Sequence, residues 1–378
     1  MEVYLDNSAT TKPCREAVLA VCHALEENYG NPSSLHGIGI NAAKAVIRAR
    51  QSLADKIDCE KEEIFFTSGG TEANNLAVFG AAYANRRKGG RIVTTAIEHE
   101  SVMQSMDALE KEGFEVIRLM PDRFGCISIS DLAAAINDKT ILVSVMYINN
   151  EVGSILPVDK IKRLVTRANA PALIHTDCVQ AFGKTEVKPK KLGADLVTVT
   201  AHKIHGPKGC GALYIKKGVR ILPRTFGGEQ EKKIRPGTEA SPLIMGFGAA
   251  VDALPDLKEQ STKTEELNRY AKSRLLQTEG IRINSGEEAS PYIINLYVPT
   301  FMRSQTILQK LSSDYGIYVS NGSACAKGKK SHVLSAMGLS NEITDKSIRV
   351  SFSRYNTKED IDRLCDALND IIKKHPRI

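Results

Sequence analysis

At 378 residues the chain exceeds the size at which a single hydrophobic core keeps growing, so a large domain accompanied by a smaller one is expected. Its 42% hydrophobic and 25% charged residues suit a soluble globular protein; no apolar run is long enough to span a membrane, and "MEVYLDNSATT" lacks the basic and apolar regions of a signal peptide, which leaves the cytoplasm as the expected compartment. The formal charge of +7 is spread over separate lysine and arginine clusters at 86–88, 188–191 and 327–330 without interleaved aromatics, which argues against a nucleic-acid groove, and eight cysteines with no CxxC pair argue against a disulfide framework or a cysteine-rich zinc site.

In chain order, Val46, Ala49, Leu53 and Ile57 recur at three and four residues and predict one face of an amphipathic helix. "EIFFTSGG" reads as a strand running into a glycine turn, and "TEANNLAVFGAAYANRR" as the helix that follows. "GGRIVTTAIEH", "TILVSVMYINN", "PALIHTD" and "DLVTVTAHK" are further strands, aliphatic or β-branched in the middle and polar at the end. This alternation predicts an α/β fold with a largely parallel sheet wrapped by helices. After about residue 246 the pattern changes: one long helix bridges to the strands "YIINLYV" and "SIRVSFS" and to a closing helix "KEDIDRLCDALNDIIKK". A large domain over 15–258 and a smaller α+β domain built from 1–14 and 259–378 are therefore expected.

Ligands of open α/β sheets bind beyond the carboxyl ends of the strands, where this chain places Gly70 and Thr71, His99, Asn149 and Asn150, Asp177 with Gln180, and Thr200, His202 and Lys203. Singly, each has a plain explanation as a cap, a turn or a packed polar residue; five polar strand ends in succession do not. "TSGGTE" offers backbone amides and a hydroxyl where a helix begins, which suits a phosphate. Asp177 suits a protonated pyridine nitrogen, and Lys203 can form a Schiff base with an aldehyde. Together these describe pyridoxal 5'-phosphate. The competing metal reading of "HKIH" with Cys210 lacks a fourth ligand and straddles a Gly-Pro turn, so no stable metal site is expected.

On these residues, and on "YLDNSATT", "NPSSLH", "NNEVGSI", "RPGTE", "SNGSACAKG" and "SIRVSFSR", the chain resembles the NifS/IscS-type cysteine desulfurases of the class V aminotransferase fold from end to end. The resemblance implies a fold type I large domain and a reaction in which L-cysteine gives L-alanine and a persulfide. It implies that Lys203 anchors the cofactor, Asp177 partners the pyridine nitrogen, Gln180 meets the phenolic oxygen and His99 stacks on the ring and shares in proton transfer. Gly70, Thr71, Thr200 and His202 correspond to the phosphate shell, Asn150 to a cofactor or substrate contact, Arg349 to the clamp on the substrate carboxylate, and Cys325 to the nucleophile. Thr238 corresponds to a residue that reaches the neighbouring subunit's phosphate, which implies a homodimer. A sulfur-acceptor protein, such as an iron-sulfur scaffold or a tRNA thiolation enzyme, is the implied partner.

Two positions depart from the family pattern. Thr200 stands where serine is common and keeps the hydroxyl, and only five residues separate Cys325 from Ser331, fewer than in the long-loop subgroup. The nearest alternative activities are those of a selenocysteine lyase or an aminotransferase of the same fold, and "SNGSAC" speaks against the aminotransferase.

Overall fold

The computed structural model describes residues 2–322 and 330–376. Strand β1 (Val3–Tyr4) lies apart from a central sheet made of β2 (Ile64–Thr67), β3 (Arg91–Thr95), β4 (Glu115–Leu119), β5 (Thr140–Ser144), β6 (Leu173–Asp177), β7 (Leu196–Thr200) and β8 (Gly211–Ile215). The order is β2-β8-β7-β6-β5-β3-β4, and every neighbouring pair is parallel except those of β8, which runs antiparallel to β2 and β7. The inner strands β5 and β7 are buried at every position, which is why they read as continuous aliphatic and threonine runs without alternation.

Of the four early helices, α2 (Gly37–Ile57), α3 (Gly70–Asn85) and α4 (Glu100–Lys111) pack against this sheet, while α1 (Arg15–Glu26) packs on the helix Ser241–Asp252. The predicted stripe on α2 is its buried face, since Val46, Ala49, Leu53 and Ile57 all sit in the core. In α3 apolar residues are buried nearly all round, as expected of a helix enclosed between the sheet and its neighbours. The predicted bridging helix is instead two, Ser241–Asp252 and Leu257–Leu275. Pro255 has no N–H to continue the first, and Asp256 caps the second by accepting from the backbone of Lys258 and Glu259, each at 3.0 Å.

A second core gathers Val3 and Leu5 with Leu267, Ile294, Ile348 and Leu364. Its sheet, order β12-β10-β9, joins β9 (Arg282–Ile283), β10 (Ile293–Tyr297) and β12 (Ser347–Ser351) in antiparallel register, while β1 pairs in parallel with β11 (Ile317–Tyr318). The closing helix runs Lys358–Lys374, as its pattern predicts. Of the seven cysteines among the described residues, all unpaired, Cys14, Cys178, Cys210 and Cys365 are buried as small apolar groups, whereas Cys22 and Cys126 are exposed. Among the described residues, no helix is long and apolar enough to cross a membrane.

One ion pair ties the segment preceding Thr238 to this frame. Arg50 of α2 makes two bonds to the Glu231 carboxylate, at 2.6 and 2.8 Å, and Glu231 also accepts from the backbone of Phe66 at 3.1 Å. Glu231→Ala would leave Arg50 with only Glu239, 3.8 Å from Nη2, as a counter-charge, so the cost should stay below the about 3–5 kcal/mol of a wholly broken buried pair. A clear fall in the thermal midpoint of the variant is expected in calorimetry, and an unchanged midpoint would mean that the pair contributes nothing net.

Candidate active site

Strands β6 and β7 lie side by side in parallel, with Asp177 opposite Thr198, and both point their carboxyl ends into one cavity of about 410 Å³. Asp177 is the last residue of β6; one of its oxygens accepts from Val179 N at 2.9 Å and the other from Asn74 Nδ2 at 2.7 Å. Beyond Thr200 a single 3-10 turn, Ala201–Lys203, carries His202 and Lys203 over the sheet edge. Lys203 is therefore one turn past the strand rather than at its last residue. Its Nζ donates to the carbonyl of Ser8 and, at 2.8 Å, to that of Ala9.

The segment 6–11 reaches this place because Thr11 N donates to His202 O and Ser351 N to Leu5 O, so it lies across both cores. On the other side, β2 turns directly into α3. Gly69 supports that turn at φ +153°, and a Cβ on Gly70 would stand 3.1 Å from Val179 Cγ2, so a side chain there would have to push that methyl aside by a few tenths of an ångström.

Ten of the twelve residues to which the resemblance gives a role line the cavity: Gly70, Thr71 and His99; Asn150, Asp177 and Gln180; Thr200, His202, Lys203 and Arg349. Thr238 is exposed and does not line it, and Cys325 lies outside the described residues. Lys330, just after Cys325, does line it, with its Nζ 3.9 Å from Asp345. His205, the second histidine of "HKIH", faces away: its Nδ1 lies 2.8 Å from the Lys12 carbonyl, whereas His202 Nδ1 is 3.3 Å from Thr10 Oγ1.

Several contributors were not picked out by pattern. Asn74 is one helical turn beyond Gly70 and 1% exposed, and its only sequence signal is a polar residue inside an otherwise apolar buried helix. Asp6 holds Arg349, which is fully buried, through a 2.7 Å ion pair to Nη2, while the Asn150 carbonyl accepts from Nη1 at 2.8 Å. Arg349 Nε has no partner among the described residues. Lys184 is buried and donates to Gln180 Oε1 at 3.1 Å, and because a lysine offers only donors, this turns the amide so that Nε2 donates to Ser8 O at 2.9 Å.

Electrostatics follow from this crowding. Burial, followed by the charges of Arg349 and Lys184, lowers the Lys203 amine to about 7, against the pull of Asp6 and Asp177. Burial and the neighbouring Lys203 lower His202 to about 3, and burial lowers His99 despite Asp177. The enclosed carboxyl of Glu98, beside β5, rises to about 8 by burial.

These groups fit pyridoxal 5'-phosphate. A lysine amine near neutrality suits an aldehyde, a buried carboxylate fixed by two donors suits a protonated ring nitrogen, and a helix amino terminus beside Thr200 and His202 suits a phosphate. Two donors that line the cavity region, Ser8 Oγ and Arg349 Nε, have no partner among the described residues.

A lysine amine at about 7 rather than 10.5 has a testable sign. Only the neutral amine attacks an aldehyde, so capture of the cofactor by apo protein should accelerate as pH rises toward about 7 and level off above it. Stopped-flow absorbance measures this directly, and a rate still climbing steeply above pH 9 would contradict the lowered value.

Comparison with known proteins places this geometry in a family. The Aminotransferase class-V profile matches residues 3–364. "Cysteine desulfurase IscS" of Methanosarcina thermophila is 42% identical over 376 residues, which cover 98% of this chain and 92% of the relative. A solved structure described as a NifS-like protein superposes with a TM-score of 0.92 at 37% identity, covering 99% of this chain and all of that one. A structure of SspA in complex with cysteine superposes at 0.82 and 31% identity, covering 94% and 100%.

Proposed function

The chain belongs to the aminotransferase class-V family as a pyridoxal-phosphate-dependent cysteine desulfurase, and we propose that the residues of its cavity divide that reaction among them as follows. When bound, pyridoxal 5'-phosphate supplies an aldehyde for the substrate amine and a protonated ring that accepts electron density from the α-carbon. Gly70, Thr71, Thr200 and His202 hold its phosphate, Asp177 keeps its ring nitrogen protonated, and Gln180, turned by Lys184, presents a donor to its phenolic oxygen. Lys203 anchors the group and, once displaced by the substrate amine, is the neutral base that takes the α-proton of L-cysteine at Nζ. Arg349, held by Asp6 and Asn150, orients the substrate carboxylate. His99 covers the ring.

Cys325, as thiolate, attacks the substrate sulfur; the new S–S bond forms as the Cβ–S bond breaks, leaving a persulfide on the enzyme and the carbon skeleton of alanine. The observation that carries this reading is the convergence on one cavity of Asp177 and Lys203, from neighbouring strand ends of the large sheet, with Arg349 of the second sheet. Purified protein supplied with L-cysteine and a reducing thiol should release alanine and sulfide in equal amounts. Formation of a keto acid without sulfide would instead indicate an aminotransferase.

The same reading takes 15–258 as the cofactor domain and 1–14 with 259–378 as the domain bearing Cys325. It makes the enzyme a cytoplasmic homodimer that passes sulfur to an iron-sulfur scaffold or a tRNA thiolation enzyme. The exposure of Thr238, outside its own cavity, supports its use by the partner subunit. Thr238→Val removes one phosphate donor while keeping the shape, so a weaker hold on the cofactor with normal folding is expected, by about tenfold for one hydrogen bond. A mixed dimer of a Thr238→Val chain with a Lys203→Ala chain should keep one active site built from both intact halves. If the competent site of that dimer instead holds the cofactor as weakly as the Thr238→Val homodimer does, Thr238 serves its own chain.

A further inference from the structure

The imidazole of His99 caps the amino terminus of α4, with Nδ1 accepting from Ser101 N at 3.1 Å. The Ser101 hydroxyl lies 2.8 Å from the same nitrogen. That hydroxyl itself accepts from Asn74 Nδ2 at 2.9 Å, and the same amide donates to Asp177 Oδ2 at 2.7 Å. Having taken a hydrogen from Asn74, Ser101 Oγ has its own proton to direct at Nδ1. Two donors thus converge on Nδ1, which must keep its lone pair, and the single proton of the ring sits on Nε2. A second proton is opposed by the positive end of α4 as well as by burial, Lys203 and His332, against the pull of Asp177 and Glu100.

The orientation of Asn74 is itself constrained. Its Oδ1 is buried without a partner among the described residues, an unfavourable state for an amide oxygen. Flipping the amide would bring that oxygen against the Asp177 carboxylate, so the orphan is the better of the two arrangements.

We propose that Asn74 and Ser101 are positioning residues that lock His99 in its Nε2–H tautomer, so that the ring meets the cavity as a neutral hydrogen-bond donor. This rests on the proposed roles of Asp177 and His99 and adds to them a direction. With Nδ1 closed by two donors and Nε2 already carrying hydrogen, His99 has no free site at which to take a proton. Abstraction from the substrate falls to Lys203, while His99 offers a hydrogen bond from Nε2. The same contacts join Asp177 to His99, so a change in one reaches the other through two side chains.

The test is ring-nitrogen NMR of protein labelled with 15N-histidine, with the His99 signals identified by their loss in His99→Gln. In wild type, both apo and loaded with pyridoxal phosphate, His99 should show an unprotonated Nδ1 and a protonated Nε2 at neutral pH. Ser101→Ala should leave Nδ1 only the backbone N–H of residue 101, and Asn74→Leu should free the Ser101 hydroxyl to turn from Nδ1, so in each the Nδ1 signal should move away from its wild-type position and alanine release should slow up to about tenfold, the worth of one hydrogen bond. Ser101→Ala carries the test alone if the buried Asn74→Leu does not fold. A wild-type proton on Nδ1, or wild-type ring signals in the folded variants, overturns the proposal. Borohydride reduction of each loaded protein separates the two levels: absence of a label on Lys203 in wild type refutes the underlying site, whereas a labelled Lys203 with an unlocked His99 refutes only this inference.

Discussion

Lys203→Ala is expected to fold, to retain some cofactor through the phosphate contacts, and to release alanine from L-cysteine at least about 1000-fold more slowly, since it loses both the covalent anchor and a positioned base. Lys184 is the informative control. It is the other enclosed amine at the site, also lowered to about 7, chiefly by burial and then by Arg349, and it stands 3.1 Å from Gln180. Its Nζ is spent on that side chain, whereas Lys203 Nζ meets only the carbonyls of Ser8 and Ala9, which a bound aldehyde can replace. Borohydride reduction followed by peptide mapping should therefore place the pyridoxyl group on Lys203 alone. A label on Lys184 or on the exposed Lys208 would reassign the anchor.

Cys325→Ser should leave folding, the visible cofactor band and the spectral response to L-cysteine intact while alanine release and persulfide formation fall to background. A serine hydroxyl at neutral pH is no substitute for a thiolate. Selenocysteine, with its weaker carbon-selenium bond, should still be cleaved slowly. The other thiols near the cavity in sequence are poor replacements for a physical reason. Cys178 and Cys210 are buried, and burial pushes Cys178 well above its usual range and Cys210 up to about 12, so neither supplies thiolate. A persulfide trapped on either of them after one turnover, with Cys325 unmodified, would refute the mechanism.

How much of this could be read beforehand depended on how local each signal is. The strands were legible because strands buried on both faces must be aliphatic throughout, and the helix at 358–374 because its apolar face repeats with the helical period. The break at Pro255 was written in adjacent letters, a proline followed by a capping aspartate, and was obscured by the helical pattern on both sides. The reversed direction of β8 leaves no trace in composition, since a buried strand looks the same either way.

At the site, Asp177, Lys203 and His99 were accessible because they end strands or the turns just after them. Asn74 and Asp6 were not, because their roles exist only through distant partners, 27 and 103 residues away for Asn74 and 343 for Asp6. Lys184 was hidden differently: its partner is four residues off, but a lysine there reads as surface unless its burial is known.

The placement of residues 3–11 sets an order of events during synthesis. This stretch leaves the ribosome well before its partners, since Val3 pairs with Ile317, Ser8 N bonds to Ser351 Oγ, and Asp6 awaits Arg349. The sheet carrying Asp177 and Lys203 can assemble while the later strands are still being made. Until they emerge, the carbonyls of Ser8 and Ala9 have no fixed place from which to hold Lys203. A nascent chain arrested before Arg349 is thus expected to expose a half-built pocket with an unrestrained lysine.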